Sequence, residues 1–224
     1  MLMGAAATAA ARIARPWSAF RSRTKAASTV AVVRHKLDAR QWSPELLKQL
    51  EWRRFEELCV AYYEAIGLYR IEKSAAEGGI HIYLRDKGSE RITTIVQCKP
   101  WDAYRVGAKA VRELRAALMA AKVSEGVLLT SGRFTQEAAS AAAKEGVQLV
   151  DGAALLERIA ALPAETSMAL LKFATQGDFV TPTCPICSVK MVSRQSTREG
   201  RKFWGCKNYP RCKHTLSGTA SAPA

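Results

Sequence analysis

The first apolar pattern of the chain has helical spacing and begins after a basic amino-terminal segment. Ser43 and Pro44 form a typical helix start, because serine caps a helix and proline suits its first turn. From Leu47 to Ile66, apolar residues recur at helical intervals, and Gly67 ends the run. The pattern predicts one long helix or two abutting helices.

A change to alternating apolar and polar residues predicts three short strands after this helical region. Successive side chains of a strand point to opposite faces, so His81 should face away from the aliphatic row of its own strand. For the same reason Gln97 and Lys99, two positions apart, should point the same way. The predicted strands are residues 69–73, 79–85 and 91–99, with a turn at 87–89 between the last two.

Strand and helix patterns then alternate up to about residue 161, which predicts a mixed α/β sheet flanked by helices. The elements are a helix at 106–122, a strand at 126–130, a helix at 135–144, a strand at 147–150 and a helix at 152–161. A short helix and a linker should follow, and a separate module should start near Phe179.

The charge of the chain is concentrated at its two ends. The 224 residues carry a formal net charge of +14, with a pI near 9.8. Residues 1–36 contain no acidic residue, and residues 180–224 contain the single acid Glu199. In the region between them, basic and acidic residues are equal in number, so its formal net charge is zero. Such basic flanks favour a polyanionic partner such as nucleic acid or an anionic membrane surface.

Residues 1–35 resemble an organellar transit peptide as much as a disordered basic arm, and we expect an arm over residues 1–40. The chain lacks an apolar run long enough for a membrane helix, so a soluble, cytoplasmic protein without a membrane partner is expected. Cys59 and Cys98 lie in apolar patterns rather than in a disulfide framework, which agrees with a reducing compartment.

Four cysteines near the carboxyl terminus have the spacing of a structural zinc site. Two residues separate Cys184 from Cys187, and five separate Cys206 from Cys212. Each pair can place two thiolates in one tight turn, and two such pairs complete a tetrahedral zinc site. His214 is a spare ligand that the closed set of four sulfurs does not need.

The residues around these cysteines resemble the carboxyl-terminal zinc ribbons of type IA DNA topoisomerases. The resemblance covers residues 180–216 and implies contact with single-stranded DNA. Aromatic side chains would stack on bases and basic side chains would meet phosphates, unless the aromatic residues only form the small core of the ribbon. The candidate DNA-binding residues are Arg194, Arg198, Lys202, Phe203, Trp204 and Tyr209.

A second resemblance, over roughly residues 50–160, is to the Mrr-type restriction endonucleases of the PD-(D/E)xK superfamily. It implies a restriction-endonuclease-like mixed sheet, with a divalent metal held by an acid at one strand and by an acid or glutamine two residues before a lysine on the next. The motifs are Phe55-Glu56, Glu77-Gly78-Gly79-Ile80, Val96-Gln97-Cys98-Lys99-Pro100-Trp101, Val106-Gly107, Val111-Arg112-Glu113-Leu114, the run from Gly126 to Thr135, and Leu149-Val150-Asp151-Gly152.

Carried onto this sequence, the resemblance makes Lys99 the catalytic lysine and Gln97 a metal ligand. The chain departs from the family at His81, which occupies the position of the principal metal carboxylate. The expected ion is magnesium or manganese. Imidazole suits manganese, iron or zinc better than magnesium, so His81 would weaken magnesium binding unless Glu56 or Glu77 supplies the missing carboxylate.

The sequence therefore predicts a DNA endonuclease that cleaves phosphodiester bonds, with duplex DNA at the nuclease domain. The alternatives are a catalytically inactive DNA-binding protein with the same fold, and a module directed to RNA or to protein assembly. The oligomeric state stays open, and a dimer is compatible with the family. The predicted regions are the arm at 1–40, the nuclease domain at 41–162, a linker at 163–179, the zinc ribbon at 180–216 and a tail at 217–224.

Overall fold

The computed structural model describes residues 39–71, 81–99, 105–197 and 200–217. Residues 1–38 of the basic arm, Glu77 and Arg198 lie outside these ranges. The helices are α1 (Pro44–Gln49), α2 (Trp52–Ala65), α3 (Ala108–Ala121), α4 (Gln136–Glu145), α5 (Gly152–Ala160) and α6 (Ala164–Ala174). The strands are β1 (Leu68–Ile71), β2 (His81–Asp86), β3 (Thr94–Lys99), β4 (Arg105–Val106), β5 (Glu125–Thr130), β6 (Arg133–Phe134), β7 (Val147–Val150), β8 (Val192–Gln195), β9 (Lys202–Gly205) and β10 (Thr215–Ser217).

The main sheet is mixed, as the sequence predicts. Its strand order is β1-β2-β3-β5-β7. The pairs β1-β2 and β2-β3 are antiparallel, whereas β3-β5 and β5-β7 are parallel and are connected through helices. The short strands β4 and β6 form a separate parallel pair, and β8, β9 and β10 form an antiparallel sheet in the cysteine-rich module.

Helices cover both faces of the main sheet, so β3 is buried on its two sides. Val96 and Cys98 face a core formed with α1, α2, α5 and α6. Ile95 faces a second core formed with α3 and α4. This arrangement confirms the predicted alternation within β3 and fixes the direction in which Gln97 and Lys99 point.

The first helical pattern is divided into two helices at residues 50 and 51. The Ser43 hydroxyl accepts a hydrogen bond from the Leu46 amide at 3.1 Å, which confirms the predicted cap of α1. Leu50 is extended and ends this helix. Glu51 then caps α2 by accepting a hydrogen bond from the Arg53 amide at 3.1 Å, so a charged residue stands at the junction.

The segment expected to be a short helix and linker contributes to the core through α6. Leu170 and Ala174 are buried in the core that also holds α2. Arg54 of α2 donates a hydrogen bond to the Phe173 carbonyl at 2.6 Å and lies over the Phe173 ring. None of the helices in the described ranges combines the length and apolarity needed to span a membrane.

Candidate functional site

The candidate site is formed by neighbouring positions on β2 and β3. His81 is the first residue of β2 and pairs directly with Gln97 of β3, so the two side chains share a face. Lys99, two residues further along β3, projects from the same face at the end of the strand. The structure therefore brings His81, Gln97 and Lys99 together; the strand pattern predicts the common face of Gln97 and Lys99, and the family resemblance adds His81.

The amino group of Lys99 is held by a carboxylate of the helix that packs on this face. Its Nζ lies 3.3 Å from Glu113 Oε2 of α3, and the side chains are one-third exposed. The Lys99 carbonyl accepts a hydrogen bond from the Thr130 hydroxyl at 2.7 Å, which ties the end of β3 to the end of β5. Glu113 belongs to a motif of the family resemblance, but the sequence assigned it no role.

Two polar side chains of the site have buried atoms without hydrogen-bond partners among the described residues. Gln97 is completely buried, and its Oε1 and Nε2 atoms are both unpaired. Nε2 of His81 is also buried and unpaired. Each such group costs about 1 to 3 kcal/mol when nothing compensates it, so unpaired groups in native proteins call for a functional explanation.

The imidazole of His81 is disposed to be neutral. Burial lowers the pKa of His81 below its ordinary value of 6.5, the positive charge of Lys99 lowers it further, and Glu113 partly opposes both effects. A neutral imidazole keeps a lone pair on one ring nitrogen, which makes it a metal ligand or a proton acceptor. The site thus presents a nitrogen lone pair beside an amide oxygen and an ammonium group.

Of the remaining predicted acids, Glu77 lies outside the described residues, and Glu56 is not joined to this cluster by a described contact. Glu56 lies on α2, which packs on the opposite face of the sheet. Burial raises its pKa, and Arg70 and Arg53 partly counter this effect. Within the described residues, no hydrogen bond or ion pair links Glu56 to His81, Gln97 or Lys99, and the role of Glu56 stays a prediction.

The four cysteines of the second module converge. Their sulfur atoms all lie within 4.8 Å of one another, and Cys184 Sγ lies 3.8 Å from Cys212 Sγ. A tetrahedral zinc ion with bonds of about 2.3 Å places its sulfur ligands about 3.8 Å apart, so the donor set fits zinc in kind and in spacing. Backbone turns support the site: the Ser188 amide donates to the Cys184 carbonyl at 2.8 Å, and the Cys206 amide donates to the His214 carbonyl at 3.0 Å.

The aromatic residues of this module have different environments. Trp204 is only 5% exposed and packs with Met191 in the core of the module, so it is not available to stack on a base. Phe203 is partly buried. Tyr209 is 59% exposed, and the guanidinium of Arg194 lies over its ring at 5.4 Å. Tyr209 also lines an open groove with Ile186, Arg211, Lys213 and His214.

Glu51 connects this module to the nuclease-like sheet domain. Its carboxylate is almost fully buried and accepts hydrogen bonds from the Thr183 hydroxyl at 2.9 Å and from Lys190 Nζ at 3.2 Å. Trp52 Nε1 donates to the Thr183 carbonyl at 2.7 Å, and the Glu51 amide donates to the Phe179 carbonyl at 2.8 Å. We call Glu51, Thr183 and Lys190 the interdomain cluster.

Comparison with known proteins gives two solved structures as examples of similar chains. EndoMS in its apo form has a TM-score of 0.34 and 22% identity, over 49% of this chain and 45% of that chain. The MspJI restriction endonuclease in complex with a 27-mer oligonucleotide has a TM-score of 0.39 and 18% identity, over 59% of this chain and 34% of that chain. The chain thus spans less than half of the length of either structure. The comparison with curated proteins gave no match.

Family models match both parts of the chain. The restriction endonuclease model Mrr_cat matches residues 47–159, which is half of the chain. The model of the topoisomerase DNA-binding C4 zinc finger matches residues 181–220. These matches confirm both predicted resemblances. The chain therefore belongs to the Mrr-type restriction endonuclease family, a family of DNA-binding nucleases, and carries a topoisomerase-type ribbon with structural zinc.

Proposed function

We propose that this chain hydrolyses phosphodiester bonds of duplex DNA at the site formed by His81, Gln97 and Lys99. The observation that carries the proposal is that His81 Nε2 and both polar atoms of the Gln97 side chain are buried without hydrogen-bond partners among the described residues, beside the ammonium group of Lys99. Together they offer ligands for a divalent cation and a positive charge for a phosphate. We assign this activity to residues 41–162 and zinc binding by Cys184, Cys187, Cys206 and Cys212 to the ribbon at 180–216.

The donor set of the site favours manganese over magnesium. His81 Nε2 and Gln97 Oε1 would hold the ion, and imidazole nitrogen suits manganese better than it suits magnesium. A bound ion supplies Lewis acidity at the phosphoryl oxygen and lowers the pKa of a coordinated water. Lys99 fixes the phosphate electrostatically at the open end of β3. Glu56 and Glu77 remain proposed additional carboxylates.

Cleavage of supercoiled plasmid DNA tests this proposal. We expect the native protein to cut with manganese and to cut more slowly with magnesium. Lys99→Ala should lower the rate at least about a hundredfold, the usual effect of removing a group that stabilises transition-state charge. His81→Asp, which restores an oxygen ligand, should move the preference towards magnesium.

Lys144→Ala is the matched control for Lys99→Ala, since Lys144 is an exposed lysine in the last turn of α4. Its cleavage rate should equal that of the native protein. Cleavage that is unaffected by Lys99→Ala would place the chemistry elsewhere in the chain or in a contaminant.

A DNA-binding protein without nuclease activity is the second candidate, and one observation favours it. Within the described ranges, the four cysteines form the one group of three or more histidine, cysteine or acidic residues close enough to share a metal. The carboxylate of Glu113 on the same face is already in an ion pair with Lys99. If the native protein binds DNA but is inert with both cations, and His81→Asp cuts, this candidate replaces the first.

We also propose that the ribbon binds single-stranded DNA through the groove beside Tyr209. The exposed Tyr209 ring can stack on a base, and Arg194, Arg211 and Lys213 supply positive charge around it, while Lys202 on β9 stays a candidate for a phosphate contact. Stacking of a base on an aromatic side chain contributes about 1 to 3 kcal/mol. The candidate Arg198 lies outside the described residues and stays a prediction.

Tyr209→Ala should therefore weaken binding of single-stranded DNA by about fivefold or more, because it removes a stacking surface. Fluorescence anisotropy with a labelled oligonucleotide measures the change. Phe173→Ala, which removes a partly exposed aromatic ring outside the ribbon, is the control and should leave the affinity unchanged. Competition with unlabelled RNA and duplex DNA separates the substrates, and equal affinity of Tyr209→Ala and native protein would exclude stacking at this residue.

A further inference from the structure

The ion pair between Lys99 and Glu113 lies at the rim of the proposed site. Lys99 ends β3, and Glu113 lies on α3, which packs on the same face of the sheet. The second carboxylate oxygen of Glu113 is 3.9 Å from Nζ of Lys109, whose side chain is 86% exposed. Two lysines thus approach one carboxylate at the rim of the proposed site.

This ion pair contributes little to the stability of the fold. The side chains of Lys99 and Glu113 are 33% and 36% exposed, and ion pairs at such positions contribute about 0 to 1 kcal/mol. Sheet and helix are already joined by the apolar core that contains Ile95, Val111 and Leu114. A role in function explains the position of Glu113 better than a role in folding.

The carboxylate of Glu113 also gives Lys99 the anionic partner that a DNA phosphate in the site would give it. Lys99 is the ammonium group beside Gln97 and His81, and a DNA phosphate entering the site is an anion that needs the same partner. The negative charge of Glu113 also raises the pKa of His81, so Glu113 acts on two residues of the site. The ammonium group has three N–H donors but a single positive charge, so the Glu113 carboxylate and a phosphate compete for that charge even where both contact it.

We propose that Glu113 is a positioning residue for Lys99: it accepts a hydrogen bond from one N–H donor of the ammonium group and holds that group in the site, while its negative charge competes with a DNA phosphate for the charge of Lys99. The expected effect of Glu113 on cleavage rests on the proposed function, in which Lys99 is the catalytic lysine. Its consequence for binding depends only on the ion pair. Glu113 therefore weakens the binding of duplex DNA while it favours cleavage of the DNA that is bound.

Glu113→Gln tests this division between binding and cleavage. With the carboxylate neutralised, Lys99 is free to pair with a phosphate, so duplex affinity at low salt should rise about threefold or more. The plot of log affinity against log salt should steepen by roughly 0.9, the value for one additional phosphate contact. The cleavage rate of bound DNA should fall at least about tenfold, because the ammonium group is no longer held in place.

Two further proteins make this test specific. Glu145→Gln removes the same charge and breaks the ion pair of 3.5 Å between Arg115 of α3 and Glu145 of α4, but it leaves Lys99 untouched. It should show at most a small gain in affinity and no loss of cleavage. In the Lys99→Ala background, Glu113→Gln should change neither binding nor residual cleavage, since its partner is gone.

The affinity measurements test this inference independently of the proposed function. If the native protein does not cleave DNA, but Glu113→Gln raises affinity through Lys99, then the nuclease proposal fails and the assignment of Glu113 to Lys99 stands. Equal affinity of Glu113→Gln and Glu145→Gln overturns the inference. A gain that persists in the Lys99→Ala background overturns it as well, because the effect then comes from general charge.

Discussion

Removing zinc from the full chain should unfold the ribbon and leave the main sheet folded. The buried core of the ribbon consists of Cys184, Met191, Trp204 and Cys206, so half of it is metal-binding sulfur. Without the ion, two apolar side chains cannot offset the conformational entropy of the segment. Structural zinc sites in comparable small modules contribute about 10 to 16 kcal/mol of apparent binding free energy, which is much more than such a core supplies.

The dispersion of backbone amide resonances measures this result residue by residue. After chelation under reducing conditions, resonances of residues 181–217 should collapse to random-coil positions, and those of β3 and β5 should stay dispersed. Cys206→Ser should reproduce the collapse without a chelator, because a serine hydroxyl is a poor zinc ligand. Cys59→Ala, a change at a buried cysteine of the main core, should leave the ribbon folded. Dispersed ribbon resonances in the zinc-free protein would contradict the expectation.

Much of the fold could be predicted because its signals are local. Alternation within β3, the Ser43 cap and the spacing of the four cysteines each lie within a few residues of sequence, and the structure confirms the sheet and the sulfur cluster. The break between α1 and α2 was left open, since the apolar spacing continues across it. The contribution of α6 to the main core depends on packing against α2, which no local pattern reports.

The site was predicted only as far as its residues lie on one strand or carry a family motif. Gln97 and Lys99 are two positions apart, so their common face follows from strand geometry. Glu113 reaches Lys99 only after the chain has passed through β4 and returned along α3. Burial of Trp204 likewise depends on how β8, β9 and β10 enclose it, and the sequence therefore left stacking and core packing as alternatives.

The interdomain cluster is the other feature that the sequence did not predict. Its individual contacts contribute unequally to the free energy of unfolding. Glu51 accepts hydrogen bonds from the Thr183 amide and hydroxyl, which are buried, and from Lys190, whose side chain is 39% exposed. Hydration of Lys190 limits the contribution of the ion pair to about 1 kcal/mol or less. Leaving the buried Thr183 groups without an acceptor costs about 1 to 3 kcal/mol, so they dominate.

Glu51→Ala should therefore lower the free energy of unfolding by about 3 kcal/mol, because it removes the cap of α2 as well as the acceptor for Thr183. For a chain of this size the unfolding midpoint should fall by roughly 6 to 12 °C. Thermal unfolding of the zinc-loaded protein measures the change. Glu57→Ala is the control, because Glu57 lies on the same helix, is about 40% exposed, and pairs with Arg53 and Arg54.

The control should stay within about 0.5 kcal/mol of the native protein, as expected for an exposed ion pair. A Glu51→Ala protein with native stability would show that the cluster contributes nothing to folding. Because Thr183 and Lys190 belong to the ribbon, unfolding the ribbon by chelation should also withdraw the partners of Glu51 and destabilise the main sheet. In Glu51→Ala the contacts of the Glu51 carboxylate are already lost and the hydrogen bond from Trp52 to the Thr183 carbonyl remains, so chelation should destabilise the main sheet less than it does in the native protein. This difference identifies Glu51 as a residue that couples zinc loading to the nuclease domain.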